Sequence, residues 1–247
     1  MSEYLARVRR YIRFSRQEIT DILLSLLVIA FAFGFDDHKE TFEVSAWLGN
    51  FLTVLLIVAI SFIAHQLIQK FVAIFAGYRS EFKAWGWGII LCLALTFVTK
   101  GNWIFVAAGG VFVYHLPFQR IGMFRYGLST YYSGLVAVSG PLINLVLAIV
   151  FKLLFLGTQD PYLLLGMKVN LWMAFYSILP IPPLDGGTAF FGGRSTYFYW
   201  LGFVLAAIVL ILVLKSLLAI LLGTLLLSVL LWLVFFVFIE YGSWVKM

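Results

Sequence analysis

Three polar clusters interrupt the long apolar segments of this sequence. The first is HQLIQ at residues 65–69, in which His65 and Gln69 are four positions apart and share one face of a helix. The second is SGPLIN at residues 139–144, and the third is LPIPPLDGG at residues 179–187. Ionisable and amide side chains are costly at membrane depth, so each cluster is a candidate functional site. Held away from water, such groups either bind a polar ligand or satisfy one another by hydrogen bonds.

The third cluster carries the most specific backbone signal. Pro180, Pro182 and Pro183 exclude a regular helix, because each lacks an N–H and restricts the residue before it. Apolar segments flank this stretch, so its irregular backbone is expected near or inside the membrane, where it must be buried in protein or line a wet cavity. Asp185 is therefore predicted on a rigid bend that faces a polar space. The alternative is a solvated aspartate in a cytoplasmic loop.

The composition indicates an integral membrane protein. Of the 247 residues, 63% are hydrophobic and 11% are charged, whereas a soluble domain has about 25% charged residues. The net charge of +6 does not indicate a nucleic-acid partner, because the basic residues form no stripe among stacking aromatic residues. Arginines at positions 7, 9, 10, 13 and 16 instead precede the first apolar run. They favour contact with membrane lipid and a cytoplasmic N-terminus.

The apolar runs predict an all-α polytopic membrane protein with six to eight spans. They cover about residues 19–35, 46–76, 85–116, 133–157, 161–180, 197–214 and 216–239. Residues 85–116 fit either two short helices or a re-entrant element. Residues 77–83 are predicted as a polar turn, and residues 117–132 as a loop or short strand-like segment at the membrane edge. The acidic residues at 36–40 fit the side opposite the arginines.

The predicted organisation has three parts. Residues 1–18 form a basic cytoplasmic or interfacial leader, with a helical pattern over residues 4–14. Residues 19–190 form the membrane core, and residues 191–247 add C-terminal transmembrane helices. A cleavable signal peptide within residues 1–32 is the alternative to a retained first span. Cys92 is the sole cysteine, so no intrachain disulfide is possible.

The three clusters, in this order, resemble the site-2 protease family of intramembrane zinc metalloproteases. In that family a membrane helix bears HExxH, a later span begins with G-P-x-x-N, and a proline-rich motif closes with Leu-Asp-Gly. This sequence has Gly140, Pro141 and Asn144 at the second motif, and Pro180, Pro182, Pro183, Asp185 and Gly186 at the third. The surroundings of His65, together with Asn170, resemble the archaeal branch. The resemblance covers most of residues 15–190.

The resemblance implies a zinc site that this sequence does not complete. In the family, two histidines and an aspartate bind zinc, and the glutamate of HExxH is the general base. His65 and Asp185 match two of these ligands, but Gln69 stands at the second histidine and Gln66 at the glutamate. An amide has no basic site near neutral pH and is a poor zinc ligand. We therefore expect no catalytic residue and no bound cofactor, and predict a pseudoprotease.

Three alternatives remain open from the sequence. In the first, a hydrogen-bonded core of His65, Gln69 and Asp185 replaces zinc, and the former substrate cleft binds a membrane segment or a partner protein. In the second, an active zinc protease uses His115 or His38 as the missing ligand, with Glu81 as base. In the third, the chain is a structural subunit of a larger membrane complex.

Overall fold

The computed structural model describes residues 3–36, 43–116 and 127–241. This part of the chain is mainly helical. Its elements are α1 (Glu3–Tyr11), α2 (Arg16–Phe33), α3 (Val44–Phe75), β1 (Tyr78–Ala84), α4 (Gly86–Val98), β2 (Gly109–His115), α5 (Thr130–Thr158), α6 (Pro161–Ile178), α7 (Asp185–Gly192), α8 (Arg194–Val213), α9 (Leu217–Phe235) and a π-helical turn (Phe236–Tyr241). The predicted all-α polytopic membrane fold, with a short strand element, is confirmed.

Four of the described helices are long and apolar enough to cross a bilayer. They are α3, α5, α8 and α9, the last extended by the π-helical turn. Helices α2 and α6 have 18 residues each but carry more polar residues, among them Glu18, Asp21 and Lys168. The chain is therefore an integral membrane protein, and the total of six to eight spans stays a prediction.

Two segments differ from what their composition predicts. Residues 78–84 are a strand and not a turn, and residues 109–115 are its antiparallel partner and not a helix or a re-entrant element, with Phe82 opposite Val111. The reason is a two-residue alternation in β1, in which Ser80 and Phe82 are buried while Arg79 and Lys83 are exposed. An alternation over seven residues is long enough to indicate a strand, but the polar Ser80 on the buried face concealed it in the sequence.

Part of the predicted membrane-edge segment lies outside the described residues. Residues 117–126 belong to that part, and so do His38 and most of the acidic stretch at 36–40. Beyond the gap, α5 begins at Thr130, three residues earlier than the predicted span. The predicted helix in the leader is confirmed as α1, and Tyr4 Oη donates to the Phe71 carbonyl at 3.3 Å. The domain boundaries at residues 18 and 190 stay predictions.

A buried ion pair fixes the two-stranded sheet against α2 and α3. Lys70 Nζ donates to Glu18 Oε2 at 2.9 Å and to the Ser80 carbonyl at 2.9 Å. Glu18 Oε1 accepts from the Phe82 N–H at 3.0 Å, and Asp21 Oδ2 accepts from the Ala84 N–H at 3.2 Å. Carboxylates on α2 thus satisfy the outer edge of β1, which would otherwise carry unpaired N–H groups. The sheet is thereby held beside the end of α3 that carries the HQLIQ motif.

The helices pack into two neighbouring hydrophobic clusters. One joins α5, α6, α7 and α8, and the other joins α2, α3 and α4 with residues of the sheet. Lys152 on α5 donates to the Ile211 and Leu214 carbonyls at the end of α8. A lysine there satisfies carbonyls that have no partner within the helix and complements the helix dipole. Helix α8 is therefore part of the same packed core as α5.

Candidate functional site

The three sequence clusters meet at one buried site. His65 and Gln69 lie one turn apart on α3, and Asp185 is the first residue of α7, directly after the proline-rich turn. Asn144 comes from α5, which crosses next to α3. All four side chains are buried; His65 and Asp185 are each 3% exposed. The alternative of a solvated loop aspartate is therefore wrong, because Asp185 faces polar groups inside the protein.

Gly140 permits the close approach of α5 to α3. A Cβ at this position would lie 2.2 Å from His65 Nε2 and 2.7 Å from Gln69 Nε2. Real Cβ atoms do not approach other heavy atoms so closely, because hard-sphere repulsion rises steeply there. A side chain at position 140 would therefore displace the His65 and Gln69 side chains from the positions they hold in the site.

His65 is held by hydrogen bonds at both ring nitrogens. Asn144 Nδ2 donates to His65 Nδ1 at 2.9 Å. With the Asn144 amide in this orientation, Nδ1 is an acceptor, so the ring proton resides on Nε2 and points at Asp185 Oδ2, 2.9 Å away. The imidazole is thus satisfied within the protein and bonds the carboxylate directly.

Both oxygens of Asp185 have protein partners. Oδ2 accepts from His65, and Oδ1 accepts from the Val111 N–H of β2 at 2.9 Å. Sequence reasoning missed the Val111 contact, because a backbone donor leaves no signal in side-chain identity. The carboxylate therefore joins α3, α7 and the free edge of β2.

Gln69 has a role that its place in the motif does not predict. Its Nε2 donates to the Ala137 carbonyl at 3.3 Å. Ala137 is the residue four positions before Pro141, so its carbonyl has lost the helical N–H that proline lacks. Gln69 restores a donor to that carbonyl. The predicted hydrogen-bonded core of His65, Gln69 and Asp185 is therefore wrong for Gln69, which bonds α5 instead.

The second motif lies inside a helix and not at the start of a span. Gly140 is ten residues beyond Thr130, where α5 begins, and Pro141 stands in the helix interior. The family pattern, in which a span begins with G-P-x-x-N, predicts the start of a helix here. Interior proline is tolerated in membrane helices where neighbouring groups satisfy the freed backbone, as Gln69 does.

The proline-rich turn places Asp185. It follows the end of α6 at Ile178 and is closed by the Leu184 N–H, which donates to the Ile181 carbonyl at 2.7 Å. A Cβ on Gly186 would lie 2.1 Å from the Ile178 carbonyl oxygen, and one on Gly110 would lie 2.1 Å from the Pro183 carbonyl oxygen. Glycines therefore let the turn press against both α6 and β2.

Asn170 lies one helical turn away from the candidate ligands, beside Ser61 of α3. Its Nδ2 donates to Ser61 Oγ and to the Gly166 carbonyl, both at 2.8 Å. Ser61 is one helical turn before His65 on α3. Asn170 therefore ties α6 to α3 one turn below the site and does not contact His65 or Asp185 by hydrogen bonds.

Gln66 borders a small cavity beside His65 and Asp185. The cavity measures about 20 Å³ and has apolar walls that include Phe62 and Met173. That space holds about one water molecule. Gln66 thus occupies the place of a general base beside a water-sized space, but its amide cannot accept a proton from water at neutral pH.

The residues of the site do not fit zinc as they stand. His65 and Asp185 supply one nitrogen and one carboxylate, and in the described ranges no three His, Cys, Asp or Glu side chains cluster to hold a metal. Two donors on a tetrahedral zinc are separated by about 3.3 Å, given bond lengths near 2.0–2.1 Å. His65 Nε2 and Asp185 Oδ2 are 2.9 Å apart, which is the length of a direct hydrogen bond.

The candidate replacement ligands do not reach the site. His115 lies four residues beyond Val111, about 13 Å along the strand, and its ring packs 5.7 Å from the Tyr78 ring. Glu81 faces away from Phe82, which lines the cavity, and lies 3.9 Å from Arg79. His38 is outside the described residues. Neither His115 nor Glu81 is therefore placed to complete a metal centre.

Comparison with known proteins places the chain in a family. An archaeal protein of Methanocaldococcus jannaschii, named "Putative zinc metalloprotease MJ0611", is 35% identical over 179 residues, which are 70% of this chain and 83% of that protein. Protein-family models and solved structures gave no match. Together with the three ordered motifs and their convergence at one buried site, this identity shows that the chain belongs to the site-2 protease family of intramembrane metalloproteases.

Proposed function

We propose that this chain is a proteolytically inactive member of its family that binds a membrane segment or a partner protein in the former substrate cleft. The observation that supports this most strongly is the direct bond between His65 and Asp185. The two side chains that match zinc ligands are engaged with each other, with Asn144 and with the Val111 N–H.

The chemistry of the two glutamines supports the same proposal. Without a base at Gln66, the rate of hydrolysis falls by a factor of about 10²–10⁴. Without an imidazole at Gln69, the metal that activates the water also loses a ligand, and a catalytic zinc needs three protein ligands. The two losses act on one step, so the chain is expected to leave peptide bonds intact.

The hydrogen bonds at the site take over the structural part of a metal's role. Asp185 and His65 connect α3, α5, α7 and β2 through polar contacts that need no ion. The scaffold of the cleft is thereby retained without the reaction, which is the basis for proposing a binding function.

Exposed Arg9, Arg10, Arg79 and Lys83 lie near the end of α3 that bears Gln69, and they support a cytoplasmic N-terminus.

A peptidase assay tests the proposal. Wild-type protein in detergent, supplied with zinc, is incubated with a model transmembrane substrate beside the Asp185→Ala variant. Both are expected to leave the substrate intact. Hydrolysis by the wild type that Asp185→Ala abolishes would show an active metalloprotease with a variant site, which is the competing function.

Asp185→Ala also has a predicted effect on stability. The substitution leaves the Val111 N–H and the His65 ring without their acceptor, and each unsatisfied buried group costs about 1–3 kcal/mol. Unfolding in the presence of a metal chelator is expected to show a loss of about 2–5 kcal/mol, with a smaller loss for Asp185→Asn, which keeps one acceptor oxygen. If the chelator alone lowers wild-type stability to the level of Asp185→Ala, a metal and not the hydrogen bonds holds the site.

A further inference from the structure

The N-terminal helix α1 packs against the end of a membrane-spanning helix. Tyr4 Oη on α1 donates to the Phe71 carbonyl of α3 at 3.3 Å. The Tyr4 ring also packs edge-on against the Phe75 ring, with 6.0 Å between the ring centroids. Helix α3 is long and apolar enough to cross a bilayer, and Phe75 is its last residue. The contact with α1 is therefore at one end of a span.

An aromatic cluster marks the other end of this span. Trp47, in the first turn of α3, stacks on Phe51 with 5.5 Å between the ring centroids, and its Nε1 donates to the Phe35 carbonyl at 3.3 Å. Tryptophan is enriched at the headgroup level of a membrane. Phe71 follows Trp47 by 24 positions on α3, or about 36 Å along the helix axis, and the hydrocarbon core is about 30 Å thick. With Trp47 in one headgroup layer, Phe71 and α1 are at the level of the other.

The segment that includes α1 has a local excess of positive charge. Residues 7–16 contain five arginines and no acidic residue. Three of these arginines are exposed and are here called the leader arginines: Arg9, Arg13 and Arg16. Among the described residues, none of the three forms an ion pair with a carboxylate. The carboxylates that follow, on Glu18 and Asp21, bond Lys70 and the backbone of β1 instead.

The opposite membrane surface shows no such excess among the residues that the structure describes. Exposed Lys100 is next to Gly101, which lies against Asp36. Exposed Lys168 lines a cavity together with Asp36. Glu43, directly before α3, adds a further exposed carboxylate. The unbalanced cations are thus on the side of α1.

The level of α1 and its charge together identify a ligand. The guanidinium group presents its N–H donors in a planar fork that matches the oxygens of a phosphate. A basic residue near an anionic membrane surface strengthens the attraction by about fivefold. We propose that the leader arginines bind the phosphate groups of anionic phospholipids in the leaflet that borders α1. The bound lipid holds the leader at the surface where Tyr4 contacts α3.

Lipid binding to delipidated full-length protein tests this proposal. The protein in a non-ionic detergent is titrated with phosphatidylglycerol and, separately, with phosphatidylcholine, whose headgroup has no net charge. Bound lipid is counted by native mass spectrometry. The double variant Arg9→Gln with Arg13→Gln is expected to weaken phosphatidylglycerol binding by about tenfold or more and to leave phosphatidylcholine binding within about twofold. Arg9→Lys with Arg13→Lys keeps the charge and is expected to lose less than about threefold.

The matched control is Lys100→Gln with Lys168→Gln, which removes two exposed cations from the opposite surface and is expected to leave phosphatidylglycerol affinity unchanged. Equal losses in this control and in the arginine double variant would overturn the proposal, because net charge alone would then explain the binding. An arginine double variant with wild-type affinity would overturn it as well.

Two measurements on the wild type complete the test. Raising ammonium acetate from about 0.1 M to about 1 M shortens the Debye length from about 10 Å to about 3 Å, and is expected to remove the preference for phosphatidylglycerol. A preference that persists at the higher salt concentration would contradict binding at exposed arginines. Glycerol 1-phosphate is expected not to compete at equal concentration, and full competition would overturn the proposal, since the leader would then bind a free phosphate.

Discussion

The double variant Gln66→Glu with Gln69→His is expected to bind about one zinc ion per chain, because it restores the three-ligand set of a catalytic zinc site. His65 and Asp185 already face each other, and Gln69 lies one turn from His65 on the same side of α3. Zinc binding requires His65 Nε2 and Asp185 Oδ2 to separate from 2.9 Å to about 3.3 Å. A shift of that size is within the reach of two side chains.

The metal-free double variant is expected to be less stable than the wild type. Gln69→His removes the donor to the Ala137 carbonyl, and an unsatisfied buried carbonyl costs about 1–3 kcal/mol. Zinc at about 100 times its dissociation constant is expected to raise the free energy of unfolding by about 2.7 kcal/mol, because it binds only the folded protein. Metal content and thermal unfolding, each measured with and without zinc, therefore give two independent readouts of the same site.

The single variant Gln66→Glu is the matched control for this prediction. It restores the base and leaves only two ligands, so it is expected to remain without stoichiometric zinc. Zinc binding by Gln66→Glu alone would show that a donor other than position 69 completes the site. A double variant that folds but binds no zinc would contradict this prediction. It would show that the packing around His65 does not admit a metal ion even when three ligands are present.

Glu18→Gln is expected to destabilise the protein by about 3–5 kcal/mol. The substitution leaves Lys70 charged and buried without its carboxylate, and removing one partner of a buried pair typically has this cost. Glu18 and Lys70 side chains are 2% and 4% exposed, with 2.9 Å between Oε2 and Nζ. Denaturant unfolding in a fixed detergent measures the loss.

Glu81→Gln is the control for the ion pair. Glu81 and Arg79 lie 3.9 Å apart on the outer face of the sheet, and their side chains are 28% and 44% exposed. Because the pair is exposed to solvent, Glu81→Gln is expected to lower the free energy of unfolding by less than about 1 kcal/mol. The double variant Glu18→Gln with Lys70→Met removes both buried charges and is expected to be more stable than Glu18→Gln alone. Equal losses for Glu18→Gln and Glu81→Gln would show that Glu18 does not anchor the sheet.

The long apolar runs predicted the helices well, because a span needs about 20 apolar residues and soluble folds rarely contain runs of that length. The proline-rich turn was also predictable, since proline removes the helical N–H. The interior position of Pro141 was not. What permits it is the Gln69 amide at the Ala137 carbonyl, a contact between helices far apart in sequence. Strand β1 was missed because polar Ser80 lies on its buried face, so the sequence does not show a clear apolar and polar alternation.

At the site, side-chain types could be predicted and their bonding could not. The resemblance to the site-2 protease family implied that His65 and Asp185 are neighbours, because both match zinc ligands of that family, although they are 120 positions apart in the sequence. The Val111 N–H is a backbone group, present at every non-proline residue, so composition does not mark it. Glu18 and Lys70 gave no signal either, because a charge near the end of an apolar run usually faces solvent or headgroups.

Zinc stoichiometry of the wild-type protein tests the central claim most directly. Full-length protein in detergent is equilibrated with equimolar zinc, passed through a desalting column and measured by inductively coupled plasma mass spectrometry. With His65 bonded directly to Asp185 and only a neutral amide at position 69, we expect far less than one zinc per chain. One tightly held zinc per chain that is lost in both His65→Ala and Asp185→Ala would contradict it.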